Sequence, residues 1–173
     1  MASLSKSLLL VLTALLLQGC FAYCPLYATS GCLELQTLDQ LGQTQPEVLL
    51  GYVQDERSWV REAAIEVVGR RQLRAGTPQL IDKLLDPREK RYVRAAAATA
   101  LANLGHQASL PDIARAAALP DAPPEFELAA IAALCRLGPQ DPKTQSTLTL
   151  LANDEDMLVA ASAQRRMATG CAR

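Results

Sequence analysis

The chain has 173 residues, half of them apolar, only 4% aromatic and 20% charged, with 17 basic against 18 acidic side chains. A slightly acidic balance supplies no field for a phosphate backbone, so nucleic acid is excluded as a partner. Few aromatics and abundant alanine suit closely packed helices rather than a sheet, and the length allows one domain with a substantial core.

The first segment reads as an address. Lys6 supplies a positive flank, and Leu8 to Leu17 are apolar except for Thr13. That run is about half the roughly 20 residues needed to span a bilayer, which is the layout of a secretory signal. It ends in Leu17-Gln18-Gly19-Cys20, which resembles the lipobox of bacterial lipoproteins. The resemblance implies cleavage before Cys20 and lipidation of that cysteine, with palmitate among the acyl groups. Phe21, rather than aspartate, follows it, which implies an outer-membrane anchor facing the periplasm. A cut after Ala22 is the alternative and releases a soluble periplasmic protein. Phe21, Tyr23 and Tyr27 suit the membrane interface next to the lipid.

Either cut leaves Cys24, Cys32, Cys135 and Cys171, an even number in a compartment where disulfides persist. Cys24 and Cys32 bracket CPLYATSGC, which reads as a short closed loop; Cys135 and Cys171 would then tie the C-terminal tail to the preceding helix. Four cysteines permit three pairings, so this is a preference among them. A zinc site would want closely spaced cysteine pairs and histidine, and the sole histidine is His106. No metal or other cofactor is therefore expected. The expected division is a signal over 1–19, a lipidated tether over 20–32 and a repeat domain over 33–173.

Beyond the tether, LELQTLDQLG from Leu33 to Gly42 reads as a half-unit cap on a repeat array. Four segments then align without internal gaps: VREAAIEVVGRRQ from Val60, VRAAAATALANLG from Val93, FELAAIAALCRLG from Phe126 and LVAASAQRRMATG from Leu158. Their starts lie 33, 33 and 32 residues apart. A second series, Pro46, Pro78, Pro111 and Pro142, recurs at 32, 33 and 31. Proline suits the first turn of a helix, where its missing N–H is no loss, and Thr77 and Asp141 stand where an N-cap is expected. Each unit is thus a helix A opened by proline, a turn containing Asp55, Asp86, Asp121 or Asp154, and a helix B. The aspartates are expected to cap helix B, and Gly105, Gly138 and Gly170 to close three of the B helices. The fold class is all-α, an α-solenoid of about four helical hairpins near 44–75, 76–107, 108–139 and 140–171.

These residues resemble HEAT-like repeats of the phycobilisome-lyase type, in which a leucine-rich helix, an aspartate turn and a Val-Arg-x-x-Ala helix recur. Val60-Arg61 and Val93-Arg94 carry the match, whereas Glu127 and Val159 stand in the arginine position of repeats three and four. Within this resemblance bilin handling is a cytoplasmic activity, at odds with an export signal. The hydroxylases of the wider repeat class need repeated His-Glu pairs, and its DNA glycosylases need a basic groove. No hydrolase triad is available either, because His106 follows a helix-closing glycine and is expected to face solvent.

The expectation is a non-catalytic scaffold, anchored in the envelope, that binds one or more envelope proteins. The alternative is a soluble periplasmic ligand or cofactor chaperone related to bilin-lyase HEAT proteins. Candidate partner-binding residues are Arg61, Arg94, Trp59, Arg70 and Arg136. Arg61 and Arg94 read either as ligand contacts or as struts between repeats; Trp59 reads as a plug over the junction of repeats one and two, or as an interface anchor.

Overall fold

The computed structural model describes residues 29–172, with side chains from residue 35 onward, as nine α-helices and no strand among those residues. Helix α1 spans Thr29–Thr44 and α2 Pro46–Tyr52, followed by α3 Ser58–Arg70, α4 Thr77–Leu85 and α5 Arg91–Asn103. The remaining elements are α6 Leu110–Ala117, α7 Pro124–Leu137, α8 Pro142–Leu151 and α9 Met157–Ala168. Four hairpins result, α2 with α3, α4 with α5, α6 with α7, and α8 with α9, each an A helix opened by proline and a B helix. The fold is the expected α-solenoid. The Cys20 and Cys24 assignments, and with them the Cys24–Cys32 loop, lie outside the described residues.

The B helices stack directly on one another because their facing residues are small. Ala64, Ala97, Ala98, Ala100, Ala130 and Ala133 are all buried, and a Cβ added to Gly69 would meet the Ala100 Cα at 2.8 Å. The A helices contribute leucines and isoleucine to the same core: Leu49, Leu80, Leu84, Ile113 and Leu148 have no exposed surface. Helix α1 packs on α2 and α3 through Leu38 and extends beyond both ends of the expected half-unit, beginning at Thr29 inside the segment read as tether. Asp39 on α1 pairs with Arg70 and Arg71 at the end of α3, fastening the cap to the first hairpin.

Repeat four sits one residue out of the expected register. Val60, Val93 and Phe126 are fully buried at the head of their helices, and the fourth member of that series is Val159, also fully buried, whereas Leu158 is 72% exposed. The period is therefore 33 throughout, and Ala160, not Val159, takes the arginine position. Local capping also differs from expectation. Asp141 does cap α8, accepting from the Lys143 N–H at 2.8 Å. Thr77 does not cap α4: it is already helical, preceded by a 3-10 turn over Arg74–Gly76. The turn aspartates stand too far upstream to cap helix B. Asp55, Asp86 and Asp154 instead accept from the amide two residues on, and the cap of α9 is Asp156, which accepts from Leu158 and Val159. Gly105 and Gly170 adopt left-handed backbone as expected, but Gly138 has φ −159°, extended backbone that needs no glycine, and a Cβ there would press on the end of the Leu110 side chain at 2.7 Å. Cys135 on α7 is bonded to Cys171 just beyond α9.

Candidate functional site

The two arginines of the repeat motif are spent inside the solenoid. Arg61 Nη1 donates to the carbonyls of Asp55 and Glu56 in its own turn, at 2.7 and 3.0 Å, while its Nε and Nη2 grip both carboxylate oxygens of Glu89 in the next turn. Lys83 Nζ lies 3.4 Å from the same carboxylate, and the Lys90 N–H donates to it. Burial alone would raise the Glu89 pKa, but the Arg61 hydrogen bonds, the Lys90 amide and the two nearby cations together hold it below the ordinary value. Arg94 is 7% exposed; its Nε donates to the Leu84 carbonyl at 3.2 Å and its guanidinium lies 4.5 Å over the Phe126 ring. Of the two readings of Arg61 and Arg94, these contacts fit struts within and between repeats rather than ligand contacts. The Arg94 guanidinium is used at the end of α4, because a buried C=O such as that of Leu84 must find a donor.

The other candidates are more exposed. Trp59 does not plug the junction of repeats one and two: it remains 45% exposed, with Arg57 5.2 Å over its ring. That junction is held by Tyr92, one period later, whose hydroxyl is 2.5 Å from Ser58 Oγ. Arg70 pairs with Asp39, and Arg136 donates to Asn103 Oδ1 at 2.7 Å, one period back on α5. The five residues therefore do not converge on one site. Arg70 alone lines the shallow hollow of about 400 Å³ between α3 and α5, beside Glu62, Glu66, Tyr92, Thr99, Asn103 and Glu125. That hollow is acidic. Burial pushes the Glu62 carboxyl above its ordinary pKa, helped by the charges of Glu66 and Glu125.

The chain matches the family model for HEAT repeats over residues 77–168, just over half its length. The chain belongs to the HEAT repeat family. No curated protein matches it. Within this HEAT array two side chains decide more than sequence reasoning assigned them. Glu89 is the acceptor for Arg61 as a strut, and the signal for it is the 28-residue spacing to Arg61 across the repeat junction. Glu127, in the arginine position of repeat three, is 4% exposed, and its carboxyl is pushed up to about 7, first by burial and then by the charges of Asp154 and Asp156. His106 also departs from expectation: its Nδ1 is buried and unpartnered beside a hollow of about 670 Å³ lined by Pro78, Ile81 and Leu104. Among the described residues no group of His, Cys, Asp or Glu has the arrangement of a metal site, and no helix is long and apolar enough to cross a membrane.

Proposed function

We propose that this HEAT protein is an exported, lipid-anchored scaffold that holds a partner protein on the open face of its B helices and performs no catalysis of its own. The observation that carries the reading is the α3–α5 hollow, where Glu62 and Glu66, with Glu125 paired to Arg91 at the edge, form an acidic, accessible surface while the motif arginines are turned inward. A basic or aromatic-rich partner surface fits it, and the repeat family commonly serves protein association. The lipobox-like Leu17–Cys20 stretch supports anchoring through Cys20. The ligand-chaperone alternative loses support because its arginine-lined pocket is not formed and the acidic hollow would repel a carboxylated chromophore.

A photo-crosslinking residue placed at Thr99 or Glu66 in intact cells should capture a discrete protein, and one at the exposed Glu47 on α2 should not. Equal capture from all three positions, or a small molecule in place of a protein, would overturn the scaffold reading. The anchor is tested separately: Cys20→Ser should abolish palmitate labelling and release the protein from the membrane fraction, and unchanged labelling would refute lipidation while leaving the B-helix face intact.

A further inference from the structure

The 33-residue period gives the junction of repeats three and four an internal standard. At the junction of repeats one and two, Arg61 reaches from helix B across to Glu89, four residues before Val93, and donates to two carbonyls of its own turn. One period past Arg94 the arginine position is Glu127, and four residues before Val159 stands Glu155. The acceptor turn is kept, while the donor has become a carboxylate. The space that Arg61 fills in the first hairpin is here a cavity of about 520 Å³, lined by Glu127, Asp154, Glu155 and Asp156 with Leu119 and Leu150 among its apolar walls.

Glu127 is the second, independent observation. It is 4% exposed, it lines this cavity, and what acts on its carboxyl is burial and the charges of Asp154 and Asp156, with no hydrogen bond among the described residues. A carboxylate on so little exposed a side chain, open only to the cavity and without a donor, is poorly satisfied, whereas at the junction of repeats one and two a guanidinium satisfies Glu89. Leu119 and Leu150, 45% and 53% exposed, border the acidic floor and suit the aliphatic stem of an incoming side chain or its apolar neighbours. Asp154 and Asp156 each already accept backbone amides through Oδ1, which leaves Glu127 and Glu155 as the carboxylates most open to an outside donor.

We propose that the cavity between repeats three and four is an arginine-recognition site, in which a guanidinium carried by a partner protein and flanked by apolar residues inserts between Glu127 and Glu155, as Arg61 does within the chain. The site is distinct from the α3–α5 face and stands whether or not that face binds a protein. Lysine fits it less well, because the planar fork meets a carboxylate and turn carbonyls at once, as Arg61 shows. Glu127, with its elevated pKa, would lose its proton on binding, so the interaction tightens as pH rises from 6 to 8.

The test is an amide NMR titration of isotope-labelled protein, purified as the cell processes it, with the capped peptide Leu-Arg-Leu, its citrulline and lysine counterparts, and capped arginine alone. Leu-Arg-Leu should saturably shift amides around Ala122, Glu127, Leu150 and Glu155, about tenfold more tightly than the neutral citrulline peptide. Glu127→Gln should weaken it about tenfold. Glu127→Arg should abolish it while leaving a folded protein of equal or higher melting temperature, because the intramolecular guanidinium then fills the site. Equal binding of the arginine and citrulline peptides, unchanged binding by Glu127→Gln, or shifts confined to α3 and α5 would overturn the proposal. Capped arginine binding as tightly as the peptide would overturn the partner-protein assignment in favour of a small cation.

Discussion

Single carboxylates in this protein differ because the same repeat position is given different neighbours. Glu89 is surrounded by donors and stays ionised; Glu127 is buried opposite Asp154 and Asp156 and is pushed up to about 7 from 4.5. The folded state therefore binds the Glu127 proton more tightly than the unfolded chain does. The stabilisation this provides is fully present below about pH 4.5 and is lost as the pH rises through about 7. Glu62, also raised, acts in the same direction, whereas Glu89 and Asp55 are lowered and act only in more acid solution. Chemical denaturation at pH 5 and pH 8 should show the wild type losing on the order of 2 kcal/mol across the interval, and Glu127→Gln losing far less. An unaltered pH dependence in the variant would show that Glu127 ionises normally in the folded protein.

At the scale of the element, stacking of the B helices depends on how near the backbones can come. Gly69 on α3 is helical and gains nothing from glycine's freedom; it is needed because Ala100 on α5 leaves no room for a Cβ. Gly69→Ala improves helix propensity by about 1 kcal/mol but forces α3 off α5, at an overpacking cost of about 1–3 kcal/mol, so urea unfolding should show a net loss. A gain would mean that the two helices separate freely. Helix elements were largely legible from the chain because two independent series, the prolines and the buried helix heads, repeat at nearly one period. Repeat four slipped by one residue because Leu158 and Val159 are both apolar, and only packing distinguishes the 72% exposed side chain from the fully buried one. The side chains of the site were less legible. Arg61 was readable as a strut, but its acceptor, Glu89, lies a whole repeat away, and nothing local marks Glu127 as buried or Trp59 as exposed.

Across the whole molecule, a solenoid is stabilised by each repeat and its neighbours, so its ends are its weak points unless they are covered. The N-terminal end has α1, pinned through Asp39 to Arg70 and Arg71. The C-terminal end has no such layer among the described residues: α9 buries only Val159 and Ala163 fully, and Met157 is 84% exposed. What secures it is the Cys135–Cys171 bond, which closes a 36-residue separation around α8 and α9 and joins them to α7 at the centre of the core. Closing a loop of that length removes unfolded-state entropy equivalent to about 3–4 kcal/mol. Because the contribution is concentrated in one repeat, its loss should be local before it is global. Hydrogen exchange on a Cys135→Ser, Cys171→Ser double variant should show α8 and α9 opening well before α3 and α5, which keep near-native protection in mild urea. Uniform acceleration along all the helices would instead make the array a single cooperative unit, in which the last hairpin draws its stability from the stacked alanines and the disulfide serves the chain as a whole.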